Sequence, residues 1–166
     1  KDIMKKFNIP TAKYFVYDNS ADAIKGLENF KEGEGVVKAS SLAGGKGVVV
    51  SNSHEEAKQA IIDFFDNPNC SVNTSEVVLE QKLLGSEISV FALYDENGYI
   101  NLGYARDYKR VFDNDKGPNS GGMGTFSSSD LISEELKAKI DKEVFDPILT
   151  GMKKENAAFT GILFAG

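Results

Sequence analysis

The chain has 166 residues, 41% apolar and 27% charged, which is ordinary for a soluble fold with one substantial core or two small ones. A net charge of −6 excludes a global basic field for nucleic acid or an anionic membrane, so any phosphate affinity must be local. One cysteine, Cys70, excludes an intrachain disulfide, and one histidine, His54, excludes a zinc site built from that pair alone. No signal-peptide pattern and no apolar run of membrane-span length is present, so a reducing, cytoplasmic setting fits. The sequence opens at Lys1 without an initiator Met and stops on the strand-like run Ile162 to Gly166, which reads as a fragment of a longer protein.

In chain order, Ile3, Met4 and Phe7 have helical spacing, and Asn8 and Pro10 end that element. Lys13 to Tyr17 is aromatic and β-branched and predicts a strand. Asp18, Asn19 and Ser20 are cap candidates for a helix near 20–31, whose buried face carries Ile24, Leu27 and Phe30. Gly33 and Gly35 close it. Two valine runs, Val36-Val37 and Val48-Val50, then flank a loop with Gly44, Gly45, Lys46 and Gly47, which reads as strand, loop, strand. Ser53 to Glu56 fits a capping box, and Ala57, Ile61, Phe64 and Phe65 form the stripe of the next helix, near 54–66. His54 is thereby placed exposed in a first helical turn, without a catalytic role. Val77 to Leu79 is the next strand, running into Glu80.

Beyond it, Ile88 to Tyr94 and Tyr99 to Ala105 are strand-like runs joined by Asp95-Glu96-Asn97-Gly98, a hairpin signal. Arg106 to Ser129 is polar and glycine-rich, and its pattern predicts a long irregular loop. Ser133 caps a last helix striped by Leu136, Ile140, Val144, Ile148 and Met152, in which Pro147 predicts a kink or an early end. Phe159 to Ala165 is the final strand. The whole is of the α+β class.

Three groups of residues carry chemistry. Lys38 and Lys46 with Gly44, Gly45 and Gly47 suit a polyphosphate, because glycines allow close backbone approach and lysines add mobile positive charge. The segment is not a Walker A loop, since Gly47 follows Lys46 where Ser or Thr is required. Glu80 to Glu87 is a crossover whose backbone suits an adenine edge and whose last acid suits ribose hydroxyls. The bland alternative there is a solvated charged linker. Asp107, Lys109 and Arg110, followed by Gly117 to Gly124, form a cationic, backbone-rich surface for an anionic substrate. A flexible surface loop is the alternative.

The run Lys38 to Gly47 followed by Glu80-x-x-Leu83-x-Gly85-x-Glu87 resembles the ATP-grasp superfamily. Together with Ile9 to Ala12, Asp107 to Arg110, Gly117 to Gly124 and Thr160 to Gly166, it resembles the phosphoribosylamine–glycine ligase family over nearly the whole chain. The resemblance implies an ATP-grasp fragment: a lid subdomain over 11–79, and an incomplete larger sheet subdomain from 1–10 and 80–166. It implies that Lys38 contacts the adenine and α-phosphate, that Gly44, Gly45, Lys46 and Gly47 close over the β- and γ-phosphates, that the backbone of Glu80 and Leu83 meets adenine, and that Glu87 meets ribose. Lys109 and Arg110 take catalytic roles. Asp107, Asn119, Gly121, Gly122, Met123 and Gly124 line the substrate side.

The implied reaction joins glycine to phosphoribosylamine with ATP, through a glycyl phosphate, in purine synthesis. The implied cofactors are ATP and Mg²⁺, with the metal ligands beyond Gly166 and none within this chain. The remaining partners are N- and C-terminal domains of the same parent chain. On this reading the chain is the ATP-binding fragment of the enzyme and does not turn over alone. Two alternatives stand beside it: an ATP-grasp ligase or carboxylase with another acceptor, and a non-catalytic nucleotide-binding module.

Overall fold

The computed structural model describes residues 1–166 apart from Leu42, Gly44, Gly45 and Asp115, and describes Pro118 and Asn119 by their backbone alone. The chain divides into two compact units, one of Lys1–Thr11 with Gly85–Gly166 and one of Ala12–Leu84.

In the Ala12–Leu84 unit the order is β1 (Tyr14–Tyr17), α2 (Ser20–Gly26), a single 3₁₀ turn (Leu27–Asn29), β2 (Gly35–Ala39), β3 (Val48–Val50), α3 (His54–Asp66) and β4 (Val77–Gln81). The strands form an antiparallel sheet in the order β1-β4-β2-β3. Both helices begin on side-chain caps: Asn19 accepts from the Asp22 N–H, and Ser53 from the Glu56 N–H. The capping box of α3 closes differently from the reciprocal form, because Glu56 Oε2 accepts from the Asn52 N–H at 2.8 Å. Strand alternation sends Val37, Val77 and Leu79 into a core with Ala23, Leu27, Phe30, Ala57, Ile61 and Phe64. The predicted stripes of both helices therefore fill this core. Buried Ser51 donates its hydroxyl to the Gly35 carbonyl at 2.6 Å, so its polar group is satisfied.

The other unit holds α1 (Asp2–Lys6), β5 (Ser89–Tyr94), β6 (Tyr99–Phe112), β7 (Lys116–Phe126), α4 (Glu134–Ile140), a π-helical turn (Asp141–Phe145), α5 (Asp146–Lys154) and β8 (Gly161–Ala165). Its sheet order is β7-β6-β5-β8, antiparallel throughout. One face buries Val90, Ala92, Tyr94 and Tyr104 against Phe145 and the helices around it. Tyr94 donates to the Phe145 carbonyl at 3.0 Å, and burial pushes its phenol above the ordinary range, so it stays a donor. The opposite face presents Leu93, Ile100, Leu102, Ile162 and Phe164 in exposed positions.

Two expectations change. Arg106 to Ser129 is not an irregular loop: β6 runs on to Phe112 and β7 returns from Lys116, pairing Arg106 with Phe126 and Phe112 with Lys116. Its glycines and Pro118 speak against a strand by propensity, but β7 lies at the sheet edge, where proline is tolerated and cross-strand pairing decides. The last helix does not stop before Pro147. It passes through the π turn, and Pro147 falls in the first turn of α5, where its missing N–H costs little.

Candidate functional site

In the Ala12–Leu84 unit, strand parity brings one group of the predicted residues together. Val37 and Leu79 point to the helices, so Val36, Lys38, Val78 and Glu80 share the opposite face. Lys38 lies opposite Val78, one diagonal step from Glu80, and its Nζ sits 2.5 Å from Glu80 Oε2. The Glu80 residue is buried, whereas the Lys38 side chain is 39% exposed. An ammonium has three donors, so Lys38 can hold Glu80 and still turn donors outward. The backbone of Glu80 lies between Tyr14 and Val36 on the two neighbouring strands, and its carboxylate is the group facing Lys38.

The loop between β2 and β3 starts from a tied base. The Ala39 N–H donates to the Gly47 carbonyl at 2.8 Å, and the Ser40 N–H to the Glu76 carbonyl at 2.9 Å. A side chain at Gly47 would place its Cβ 2.7 Å from that of Ala43, so only glycine fits there. Lys46 is exposed, with its N–H on the Ala43 carbonyl at 3.0 Å. Gly44 and Gly45 lie outside the described residues. Past β4, the Lys82 N–H is taken by the Glu34 carbonyl at 2.7 Å, and Leu83 is 69% exposed.

The remaining predicted residues lie in the other unit. Glu87 is exposed just ahead of β5. Asp107, Lys109 and Arg110 all stand on β6, with Gly121, Gly122, Met123 and Gly124 on β7 across from them. Lys109 Nζ is 3.2 Å from Asp107 Oδ2. Arg110 Nη1 donates to the Gly117 carbonyl at 2.6 Å, which turns the guanidinium along the hairpin. The ring of Phe112 lies against Gly117, which has φ +85° and where a Cβ would meet that ring at 2.5 Å. Tyr108 and Phe126 stack at 6.3 Å across the two strands. The side chain of Asn119 is outside the described set, and its backbone pairs with Arg110. Each unit thus gathers its own predicted residues: Lys38, Lys46, Gly47, Glu80 and Leu83 in one, and Glu87 with the hairpin set in the other.

Among the described residues no group of three or more His, Cys, Asp or Glu side chains could hold a metal ion. No described helix is long and apolar enough to cross a membrane.

The family described as "Phosphoribosylglycinamide synthetase, ATP-grasp (A) domain" matches residues 1–166. This chain belongs to that family. It is 39% identical over its full length to phosphoribosylamine–glycine ligase of Leptospira interrogans, and 42% identical to the enzyme of that name from Chlorobaculum tepidum. It spans 39% of the length of each. The crystal structure of phosphoribosylamine–glycine ligase from Thermotoga maritima superposes on 99% of the chain, with a TM-score of 0.85 at 32% identity, covering 41% of that protein. The fold is therefore ATP-grasp, of the α+β kind, in its phosphoribosylglycinamide synthetase form.

Two side-chain contacts in this ATP-grasp domain are not among those expected from the sequence. The Glu80 side chain joins Lys38 on one face once the β2–β4 register sets Val36 opposite Glu80 and Lys38 opposite Val78. The Ser120 hydroxyl bridges two backbone groups of the β6–β7 hairpin, a contact that depends on the pairing of the two strands.

Proposed function

We propose that this chain is the ATP-binding part of a phosphoribosylamine–glycine ligase, which joins glycine to phosphoribosylamine through a glycyl phosphate, converting ATP to ADP and phosphate, in purine synthesis. The observation that carries the reading is Lys38, held by buried Glu80 on the helix-free face of a sheet in a chain of the ATP-grasp (A) family. Lys38, kept extended by that carboxylate, faces the adenine and α-phosphate. Lys46 and the glycines Gly44, Gly45 and Gly47 close over the β- and γ-phosphates. Leu83 meets the adenine edge through its backbone, and Glu87 accepts from the ribose hydroxyls. Lys109 and Arg110 draw the anionic reactants to the hairpin, with Asp107, Asn119 and the Gly121 to Gly124 backbone positioning them.

The chemistry explains why such cations are needed. A carboxylate resists attack until one of its oxygens becomes a phosphate leaving group, and a transferring phosphoryl needs its spread charge neutralised. The amine of phosphoribosylamine then attacks the glycyl phosphate and expels phosphate. Mg²⁺ accompanies ATP in such transfers, but the described acids do not form a metal-holding set, so no step is assigned to a metal bound by this chain. Residues 11–79 act as the lid subdomain, with 1–10 and 80–166 contributing to the larger one, alongside N- and C-terminal domains of a cytoplasmic parent enzyme.

The test is turnover by the full-length protein with Mg²⁺-ATP, glycine and fresh phosphoribosylamine, following ADP and glycinamide ribonucleotide. Equal amounts of both products are expected, with neither formed when glycine or phosphoribosylamine is left out. The 166-residue chain alone is expected to bind ATP without forming the amide. Product from another acid–amine pair, and none from glycine, would overturn the reading.

A further inference from the structure

The pairing of β6 with β7 shifts register twice, and the larger shift lies between Tyr108 and Arg110. Tyr108 lies opposite Gly124 and Arg110 opposite Asn119, so four residues, Ser120 to Met123, face the single residue Lys109. Such an excess forces the longer strand to bulge out of the ladder, and an exposed bulge rich in glycine has no conformation of its own. This one is fastened. Ser120 Oγ donates to the Lys109 carbonyl at 2.8 Å across the hairpin, and the same oxygen accepts from the Gly122 N–H at 3.1 Å within the bulge. A hydroxyl offers one donor and two acceptor sites, so both bonds form at once. Gly122 takes φ +126°, and a Cβ there would stand 3.5 Å from Asp107 Oδ1, so the folded bulge brings its backbone beside the Asp107–Lys109 ion pair.

We propose that Ser120 is a positioning residue: its hydroxyl sets the shape of the Ser120–Met123 bulge against Lys109, and so the place at which the hairpin receives its anionic substrate. The proposal rests on the ligase reading above and adds a residue to it. Ser120 touches no reactant. It acts through Gly122 and Lys109, so its loss should alter substrate binding at the hairpin and leave the nucleotide side alone. Threonine keeps the hydroxyl and should keep the function; alanine keeps the fold of the hairpin, whose remaining pairs run on both sides of the bulge, but lets the bulge move.

Two measurements on the full-length protein test this. Amide hydrogen exchange across residues 120–124 should accelerate about tenfold in Ser120→Ala and stay at the wild-type rate in Ser120→Thr, as expected when one hydrogen bond to a backbone amide is lost. In steady-state assays, KM for phosphoribosylamine or glycine should rise about five- to twentyfold in Ser120→Ala, with KM for ATP within about twofold and Ser120→Thr close to wild type. Unchanged exchange in Ser120→Ala overturns the fastening, and an equal rise in KM for ATP overturns the positioning role by showing a general loss of fold. If wild-type protein makes no amide from these substrates, the ligase reading fails, while the exchange measurement still decides for or against the fastening.

Discussion

Asp95 fixes the turn between β5 and β6 with one carboxylate oxygen. Its Oδ1 accepts from the Asn97 N–H at 2.7 Å and the Gly98 N–H at 2.8 Å, and these donors hold the carboxyl below the usual carboxylate range. The folded value lies under the unfolded one, so the contribution to stability is present above the unfolded value of about 4 and is lost as pH falls through the folded value. Asp95→Ala should therefore lower the urea midpoint at neutral pH, and the gap to wild type should close as the pH is taken below about 4. A gap that stays constant to the acid limit would show that the carboxylate is not its source.

Lys38→Ala takes the ion-pair partner from a buried carboxylate and should cost about 1–3 kcal/mol of unfolding free energy, below the range for a fully buried pair because Lys38 is half exposed. Lys38→Ala combined with Glu80→Gln should recover much of that stability without recovering ATP affinity. Chemical unfolding and ATP titration on the same proteins separate the two effects.

Elements differ in how plainly the sequence announces them, and the difference is physical. The helices capped by Asn19, Ser53 and Ser133 and the Asp95–Gly98 turn are specified by local bonds between near neighbours, so a linear reading finds them. The valine-rich strands declare themselves by side-chain stiffness. The strand β7 does not: it holds four glycines and a proline, and is a strand only because β6 lies beside it. In the candidate site the same divide holds. Lys38, Lys46 and the glycine motifs were legible as residue types, whereas the Lys38–Glu80 contact and the Ser120 fastening depend on register and became visible only in three dimensions.

Two helical glycines test the packing of these elements. A Cβ at Gly151 on α5 would stand 2.5–2.9 Å from the Phe7 ring, including its root carbon, whereas one at Gly26 on α2 would meet the hydroxyl end of Tyr17. The Tyr17 tip can swing away; the base of the Phe7 ring moves only if its backbone does. Gly151→Ala should cost about 1–3 kcal/mol from overpacking despite the better helix former, and Gly26→Ala should be close to neutral. Thermal unfolding of both variants decides the order.

At the scale of the whole chain, the two units have different routes to a core. Ala12–Leu84 is a continuous segment with a complete four-stranded sheet and a core drawn from both of its helices and three strand residues. About seventy residues with such a core lie within the range that folds alone. The other unit is assembled from two separated stretches. Its N-terminal piece supplies Phe7, packed on Gly151, and Lys6, whose Nζ is 2.6 Å from Glu155 Oε1 on the residue that ends α5. It also shows Ile100, Ile162 and Phe164 on the exposed sheet face, each more than half exposed. Residues 12–84 expressed alone should therefore unfold cooperatively, and Ile61→Ala within them should cost about 2–5 kcal/mol of unfolding free energy and lower the midpoint sharply, because Ile61 is fully buried between helix and sheet. Residues 85–166 without 1–11 should lose cooperativity and bind a hydrophobic dye such as ANS, since the surface covering α5 is gone and the apolar sheet face remains. Circular dichroism melts and dye fluorescence on the two pieces make the comparison. A cooperative melt from 85–166 with no dye binding, or a non-cooperative one from 12–84, would show that the units are not divided by where their cores close.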